Sequence, residues 1–374
     1  MQASQSELPA LSELKAKLAK YRNPDWKRSV WQIATTLIPF IGLIVAMYML
    51  LDVSVWLTLA LSIPAALFMV RLFILHHDCG HGSFFKSNVA NDIVGFILGA
   101  MSMTPYHAWR WSHAMHHGST GDLDHRGHGD IPTLTVAEYY AMHPVKRFFY
   151  RVYRHPIVLF GIIPVFLFTV LQRIPSFSVP KTNRKARLSA HLTNLVLLGY
   201  AALMIWLFGF WPFVLVHLTT GAIAASSGMW LFYVQHQFED TYWQRNDRWD
   251  YVRAAIAGSS HYDLPVVLQW FTANIGLHHI HHLDSRIPNY YLQRCYRENP
   301  VFHQVTRLTL WESLKCVYMN LWDEESQKMV SFRQAKQKLH QQQAKKAEAP
   351  AMTKAAETWI TTVLAATEST KSVE

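Results

Sequence analysis

The chain has 374 residues, of which 51% are hydrophobic and only 16% are charged. Because soluble domains carry nearer a quarter charged residues, this composition indicates a chain that is partly buried in lipid. The formal net charge of +10 comes without a nucleic-acid recognition motif, which argues against a nucleic-acid-binding protein. The three scattered cysteines argue against a disulfide framework.

Four apolar stretches are long enough to cross a bilayer, whose hydrocarbon core is about 30 Å thick. They comprise residues 31–51, 53–75, 192–211 and 212–233. Very short connections join the first stretch to the second and the third to the fourth, so we expect two membrane hairpins. The stretches at 93–103 and 157–171 are shorter and contain Gly or Pro, and we expect neither of them to cross. No signal-peptide pattern precedes the first span.

Basic residues predict how the spans are oriented, because loops rich in Lys and Arg stay in the cytosol. One basic cluster precedes the first span and another precedes the third: Lys15, Lys17, Lys20, Arg22, Lys27 and Arg28, then Arg173, Lys181, Arg184, Lys185 and Arg187. Both termini are therefore expected in the cytosol, in a bacterial inner membrane. We expect residues 1–30 to form a cytosolic basic segment, 31–322 a membrane-embedded domain and 323–374 a basic, flexible tail.

Three histidine clusters follow the predicted spans on the same side of the membrane. Their members lie three or four residues apart, which places them on one face of a helix: His77 and His81; His113, His116 and His117; His278, His281 and His282. One such pair is commonly structural, but this many imidazoles beside a bilayer are costly to bury unless something binds them. The pattern therefore predicts a metal site.

Eight imidazoles exceed the four ligands of a closed zinc site, which favours two first-row metal ions. Imidazole binds iron, zinc, copper and nickel alike, so the ligands alone leave the metal open. Asp78, between the first two histidines, either orients a ligand through its second ring nitrogen or is a polar residue at a helix end.

The sequence resembles the membrane-bound histidine-box fatty acid desaturases, most of all the bacterial and cyanobacterial delta-12 (omega-6) acyl-lipid branch. The resemblance spans roughly residues 30–320 and rests on H-D-C-G-H-G-S-F-F at 77–85, H-A-W-R-W-S-H-A-M-H-H at 107–117 and G-L-H-H-I-H-H-L-D-S-R-I-P-N-Y at 276–290. It implies an all-α integral membrane protein with four transmembrane helices, interfacial helices and a cytosolic helical cap that carries a di-iron site. It also implies the eight histidines of the clusters as iron ligands, O2 as co-substrate and a lipid-linked acyl chain as substrate.

The same resemblance adds a ninth ligand, His236, in the Gln-His context that follows the fourth span. His76 and His279 neighbour ligands in sequence and point about 100° away on a helix, so we leave them out. We interpret His125 and His128 as residues of a solvated loop and His217 as a packed polar residue. The role of His261 stays open.

Removal of hydrogen from an alkyl chain needs a cofactor, because no side-chain acid or base can do it. The chain contains no flavin, nicotinamide or haem fingerprint, so a separate electron donor is implied, ferredoxin-like or cytochrome b5-like. Aromatic residues are candidates for the wall of an acyl tunnel, although an ordinary core position explains each of them as well: Trp109, Trp111, Trp230, Phe232 and Trp270.

Three other functions fit parts of the pattern. A hydroxylase or ketolase that acts on lipids or carotenoids would share the same histidine clusters. A metal transporter would place its ligands at the bilayer midplane, whereas these lie at the ends of spans. A zinc hydrolase would need three ligands and a general base, not eight or nine histidines.

Overall fold

The computed structural model describes residues 10–127, 129–175, 177, 179–344 and 359–361. This part of the chain is mostly helical. The helices, in chain order, are α1 (Leu11–Leu18), α2 (Trp26–Leu50), α3 (Val55–His81), α4 (Asn88–Met101), α5 (Tyr106–Ser119), α6 (Val136–Ala141), α7 (Pro144–Tyr153), α8 (Ile163–Thr169), α9 (Arg184–Phe208), α10 (Phe210–His236), α11 (Tyr251–Ala257), α12 (Val266–Phe271), α13 (His278–Leu283), α14 (Asn289–Glu298) and α15 (Leu310–Ser313).

Four of the described helices, α2, α3, α9 and α10, are long and apolar enough to cross a membrane. At about 1.5 Å per residue, the 27 residues of α3 extend about 40 Å, well beyond a hydrocarbon core of about 30 Å. The helices therefore run on past the predicted spans. His77 and His81 lie in the last turns of α3, and His236 is the last residue of α10, so membrane helices themselves present these side chains.

The two weaker apolar stretches form shorter or broken helices. α4 has 14 residues, too few for a comfortable span, and residues 102–105 connect its end to α5. A π-helical segment (Ile157–Ile162) precedes α8, and the segments Pro144–Tyr153 and Ile157–Arg173 are bent by 58° against each other. Together this pair is long and apolar enough to count as a fifth, broken span. That neither stretch crosses the membrane stays a prediction.

A helical cap covers one end of the membrane helices. Leu14 and Leu18 of α1 are fully buried against residues of α11, α13 and α14, among them Ile280 and Leu292. Two small sheets complete the cap. β1 (Leu134–Thr135) is parallel to β4 (Leu321–Asp323), which pairs antiparallel with β5 (Lys328–Val330), and β2 (His261–Asp263) is parallel to β3 (Arg307–Thr309).

The structure differs from the expected flexible tail at its beginning. Residues 323–344 form the end of β4, β5 and a helix that packs against the cap. Trp322 and Met329 are buried with Leu123 and Trp243, and Ala335 is buried beside Tyr139. In this polar stretch, the few apolar side chains occur at the spacing of a strand or of a helix, so they lie on one packed face. Apart from 359–361, the rest of the predicted tail lies outside the described residues.

Candidate metal centre

Nine histidine side chains converge in two adjacent groups at the cap end of α3 and α10. Within each group, the candidate ligand nitrogens all lie within 4.8 Å of one another. Group one contains His77, His81, His113, His117 and His281; group two contains His116, His236, His278 and His282. The groups touch, since the rings of His117 and His282 stack with centroids 4.1 Å apart. The structure thus brings together all nine histidines that the sequence analysis selected.

Helical spacing explains how each group is assembled. His113 and His117 lie four residues apart on α5, and their Nε2 atoms are 3.1 Å apart. On α13, the Nε2 atoms of His278 and His282 are also 3.1 Å apart. Residues four apart share one helix face, so each helix directs a pair of imidazoles at one point.

The nitrogen positions fit a bound metal ion. The Nε2 atom of His236 lies 2.9 Å from that of His278, and the Nε2 atom of His281 lies 3.1 Å from that of His117. Two nitrogens bound at right angles to one ion, each about 2.1 Å from it, lie about 3 Å apart. The buried Nε2 atoms of His81 and His116 have no hydrogen-bond partner, which is costly unless an ion binds them.

Hydrogen bonds on the side away from the groups orient three ligand rings, those of His236, His116 and His77. The Nδ1 atom of His236 lies 3.1 Å from the carbonyl oxygen of Gly258. Because a carbonyl only accepts, this Nδ1 must carry the proton, which leaves the lone pair on Nε2. The Nδ1 atom of His116 faces Asp130 Oδ1 in the same way.

Asp78 lies where a carboxylate can support the first cluster. Its Oδ1 is 3.2 Å from His77 Nδ1, and its Oδ2 accepts hydrogen bonds of 2.8 Å from both the backbone N–H and the side-chain amide of Asn289. The carboxylate therefore links α3 to the start of α14, directly after the third cluster. Carboxylates in this position orient metal-binding imidazoles. Asp130, which does the same for His116, was missed by the sequence analysis because nothing in its glycine-rich loop distinguishes it from other acidic residues.

Burial keeps five of the candidate ligands neutral and therefore able to bind metal. On α5 and α13, burial lowers the pKa of five candidate ligands well below its ordinary value, and neighbouring imidazoles lower it further. These residues are His113, His117, His278, His281 and His282. At neutral pH these rings carry free lone pairs rather than positive charges.

Gly80 allows α3 and α5 to approach each other closely enough to form group one. A Cβ atom at this position would lie only 2.6 Å from Cζ3 of Trp109. The Trp109 ring in turn stacks on His113, with centroids 4.4 Å apart. The glycine between His77 and His81 is thus required by packing, a role that the sequence analysis did not assign.

Within the part of the chain that the structure describes, the remaining histidines lie outside both groups. His76 contacts the carbonyl of Gly95 through Nδ1 (2.8 Å), and His279 is buried beside Phe302, so leaving both out agrees with their positions. His217 packs among aromatic rings, with its Nε2 3.2 Å from the Tyr200 hydroxyl. His125 is largely exposed and pairs with Asp122, whereas His261 is buried against Tyr296. His128 lies outside the described residues.

An apolar cavity of about 770 Å³ reaches the histidines, within the size range of ligand sites. His77, His113 and His278 line it at the cap end, together with Asp130. Of the five aromatic residues proposed for a tunnel wall, three line the cavity: Trp109, Trp111 and Phe232.

The other two aromatic residues lie elsewhere. Trp230 turns away and donates a hydrogen bond of 3.2 Å to the hydroxyl of Tyr262. Trp270 packs under the guanidinium group of Arg71, whose Cζ atom lies 4.0 Å from the centroid of the Trp270 ring. Both therefore have ordinary packing roles, and the sequence pattern did not separate them from the cavity wall.

Comparison with known proteins is consistent with this geometry. The family model "Fatty acid desaturase" matches residues 54–311, more than half of the chain. A fatty acid desaturase of Bacillus subtilis is 43% identical over 324 residues, which cover 87% of this chain and 91% of the relative. An sn-1 acyl-lipid omega-3 desaturase (ferredoxin) of Synechocystis is 29% identical over 60% of this chain and 62% of its own length. An sn-1 oleoyl-lipid 12-desaturase of Synechocystis is 26% identical over 73% and 75%. By the family match and the similarity to the Bacillus protein, the chain belongs to the fatty acid desaturase family.

Proposed function

We propose that this protein uses O2 and two iron ions to introduce a cis double bond into an acyl chain of a membrane lipid. The observation that carries the proposal is the apolar cavity that ends on two adjacent groups of buried imidazoles. When bound, the iron pair supplies the activation of O2 that attack on an unactivated alkyl chain requires. Family membership supports the general class, an oxidoreductase that acts on fatty acids.

In this proposal, the five histidines of group one hold one iron and the four of group two hold the other. Asp130, Asp78 and the carbonyl of Gly258 fix the ring orientation of three ligands. Phe232 and Trp109 wall the cavity beside the histidines, so they hold the chain against the site and keep water away from it. The protein thus contributes position and exclusion of water, and the metal contributes the chemistry.

For the position of the double bond, we propose the delta-12 (omega-6) type. The similarity to the sn-1 oleoyl-lipid 12-desaturase supports it, although the more similar Synechocystis relative carries an omega-3 name. The substrate in this proposal is an acyl chain attached to a membrane lipid, because the histidines lie at the ends of membrane helices. A bacterial inner membrane, with the histidines and both termini on the cytosolic side, fits the basic residues that precede α2 and α9.

A separate acidic electron carrier of the ferredoxin or cytochrome b5 type is the proposed reductant. One relative is named for ferredoxin. Basic residues surround the cap helices that cover α13: Lys20 and Arg294 share one acidic partner, Glu298, and the exposed Arg286 lies just after the third cluster. A positive surface attracts an acidic carrier and makes its association depend on salt. Reduction that is insensitive to ionic strength would contradict this docking.

The test is expression in a bacterial host that makes no polyunsaturated lipids, followed by analysis of its fatty acids and of the metal in the purified protein. We expect a new diene with its second double bond at position 12, and iron in the protein. A His281→Ala variant should abolish the diene, whereas His125→Ala, at an exposed loop histidine outside both groups, should leave it unchanged. Hydroxylated lipids or altered pigments would favour the hydroxylase or ketolase alternative, and zinc alone in an active preparation would refute the proposal.

A further inference from the structure

The cavity follows α10 from the histidines towards the middle of the membrane. Eight residues of α10 line it, and the four that are farthest from His236 in sequence are all small: Gly221, Ala224, Ala225 and Gly228. The lining residue of α10 that is most distant in sequence from His236 is Gly221. At about 1.5 Å per residue, it lies about 22 Å from His236 along the helix. On α3, the lining residue most distant in sequence from His81 is Met69, about 18 Å from it along the helix.

Beyond Gly221, towards the start of the helix, α10 no longer lines the cavity. Val216 and Thr220 of α10 are fully buried, and the Thr220 hydroxyl contacts the sulfur of Met47 on α2 at 3.9 Å. Helices α2, α3 and α10 are therefore packed together below this level. An acyl chain that runs along α10 from the histidines meets its deepest point near Gly221.

Met103 occupies that point in a strained backbone conformation. Its φ is +55°, in the left-handed region that side chains other than glycine seldom adopt. It lies in the turn between α4 and α5, and its carbonyl accepts a hydrogen bond from the guanidinium group of Arg173. Arg173 is held in turn by Asn194 of α9, through bonds of 3.1 Å and 2.7 Å. Strain of this kind persists where the surrounding structure enforces it.

The Met103 side chain reaches α10 at Gly221. A Cβ atom on Gly221 would lie 3.0 Å from Cε of Met103, so the methionine methyl group already fills the space beside the glycine. Gly228, two turns nearer the histidines, differs because a Cβ atom there would have no neighbour within 4 Å. The α4–α5 turn thus closes the cavity at Gly221 and leaves it open at Gly228.

We propose that Met103 and Gly221 form a floor that limits how many carbons of the acyl chain can lie beyond the metal site. This rests on the proposed desaturase function. The polar group of a lipid stays at the end where Asp130 and the histidines lie, so the methyl end of the chain points to Met103. The floor then sets the longest segment between the new double bond and the terminal methyl group.

Two substitutions change the floor in opposite directions. Met103→Ala removes the side chain that closes the cavity. Among the products, some have a longer and some a shorter segment between the new double bond and the terminal methyl group, and we expect the ratio of longer to shorter to rise about tenfold. This is the effect of roughly one or two methylene groups in an apolar pocket. Gly221→Leu raises the floor and should lower the same ratio about tenfold. Gly228→Leu, which fills the cavity about 12 Å from His236, should exclude long chains altogether.

The experiment expresses each full-length variant in a host supplied with acyl chains of several lengths, and measures chain length and double-bond position by mass spectrometry. Met49→Ala and Gly42→Leu are matched controls, because Met49 is exposed on α2 and a Cβ on Gly42 meets nothing within 4 Å. Opposite shifts in the two variants, absent from the controls, support the floor. Unchanged product ratios in a Met103→Ala protein that accumulates normally would overturn it, and Gly221→Ala provides a milder change if Gly221→Leu does not accumulate. A wild-type protein that forms no unsaturated product would instead refute the proposed function.

Discussion

Replacement of Gly80 by alanine tests whether the approach of α5 to α3 sets the geometry of group one. The added methyl carbon would lie 2.6 Å from Cζ3 and 3.4 Å from Cε3 of Trp109, whereas carbon atoms in contact are about 3.5–4.0 Å apart. Trp109, and with it His113, must therefore retreat by about 1 Å. Because a displacement of about 1 Å at a reacting centre can cost about 100-fold in rate, we expect a loss of that order in diene formation for Gly80→Ala.

The assay compares the rate of diene formation and the iron content of purified protein for four variants: Gly80→Ala, Trp109→Phe, the double variant of these two, and Gly42→Ala. Gly42→Ala is the matched control, since its added carbon has no neighbour within 4 Å. The double variant Gly80→Ala/Trp109→Phe should recover part of the activity, because phenylalanine lacks the ring atoms that collide. This coupling is the signature of a direct contact in a double-mutant cycle. Wild-type activity in Gly80→Ala, or a double variant no better than the single one, would refute the reasoning.

Three further predictions concern individual side chains. His236→Ala removes one of the four nitrogens of group two and should reduce the iron content from about two ions to about one per chain, while His125→Ala keeps both; elemental analysis distinguishes the outcomes. Asp130→Ala removes the hydrogen-bond acceptor for His116 and should weaken iron retention about 10–100-fold. In Asp130→Asn the amide oxygen still accepts the hydrogen bond, so this variant should keep most of its affinity for iron. Competition with a chelator measures the affinity of both variants. Burial lowers the pKa of His261 to about 4, against about 6.5 in an unfolded chain. Between these values the unfolded chain binds the proton and the folded protein does not, so stability falls as the pH drops, by up to about 1.4 kcal/mol per pH unit. Melting of metal-free His261→Phe should therefore depend less on pH below about 6.5 than that of the wild type, and parallel pH profiles would contradict this.

The membrane helices and the histidines were predictable because both depend on short-range patterns. Uninterrupted apolar residues define a span, and spacings of three and four define a helix face. The predicted spans stopped at the last apolar residues, whereas the helices continue, as α3 does to His81. A helix continues as long as its own backbone hydrogen bonds and its packing allow, and the cap supplies the packing for the polar turns that follow the membrane.

Features that depend on distant parts of the chain were not predictable. Asp130 approaches His116 only because the loop after α5 folds back, and Met103 meets Gly221 only because the α4–α5 turn enters between the membrane helices at the level of Gly221. The polar composition after residue 323 predicts a tail, although Met329 of β5 is buried with Trp322 and Leu123. In each case the partner lies far away in sequence, where local periodicity carries no information.

The division of the histidines between the two groups explains why a ninth one is needed. In both H-x-x-H-H clusters, the pair four residues apart stays in one group and the histidine three residues after the first joins the other group. The pair from α5 joins group one with the pair from α3, and the pair from α13 joins group two. The eight cluster histidines therefore divide into five and three, and His236 brings the smaller group to four. Through His236, on the last turn of α10, group two receives a ligand candidate from a membrane helix, as group one does through His77 and His81 of α3.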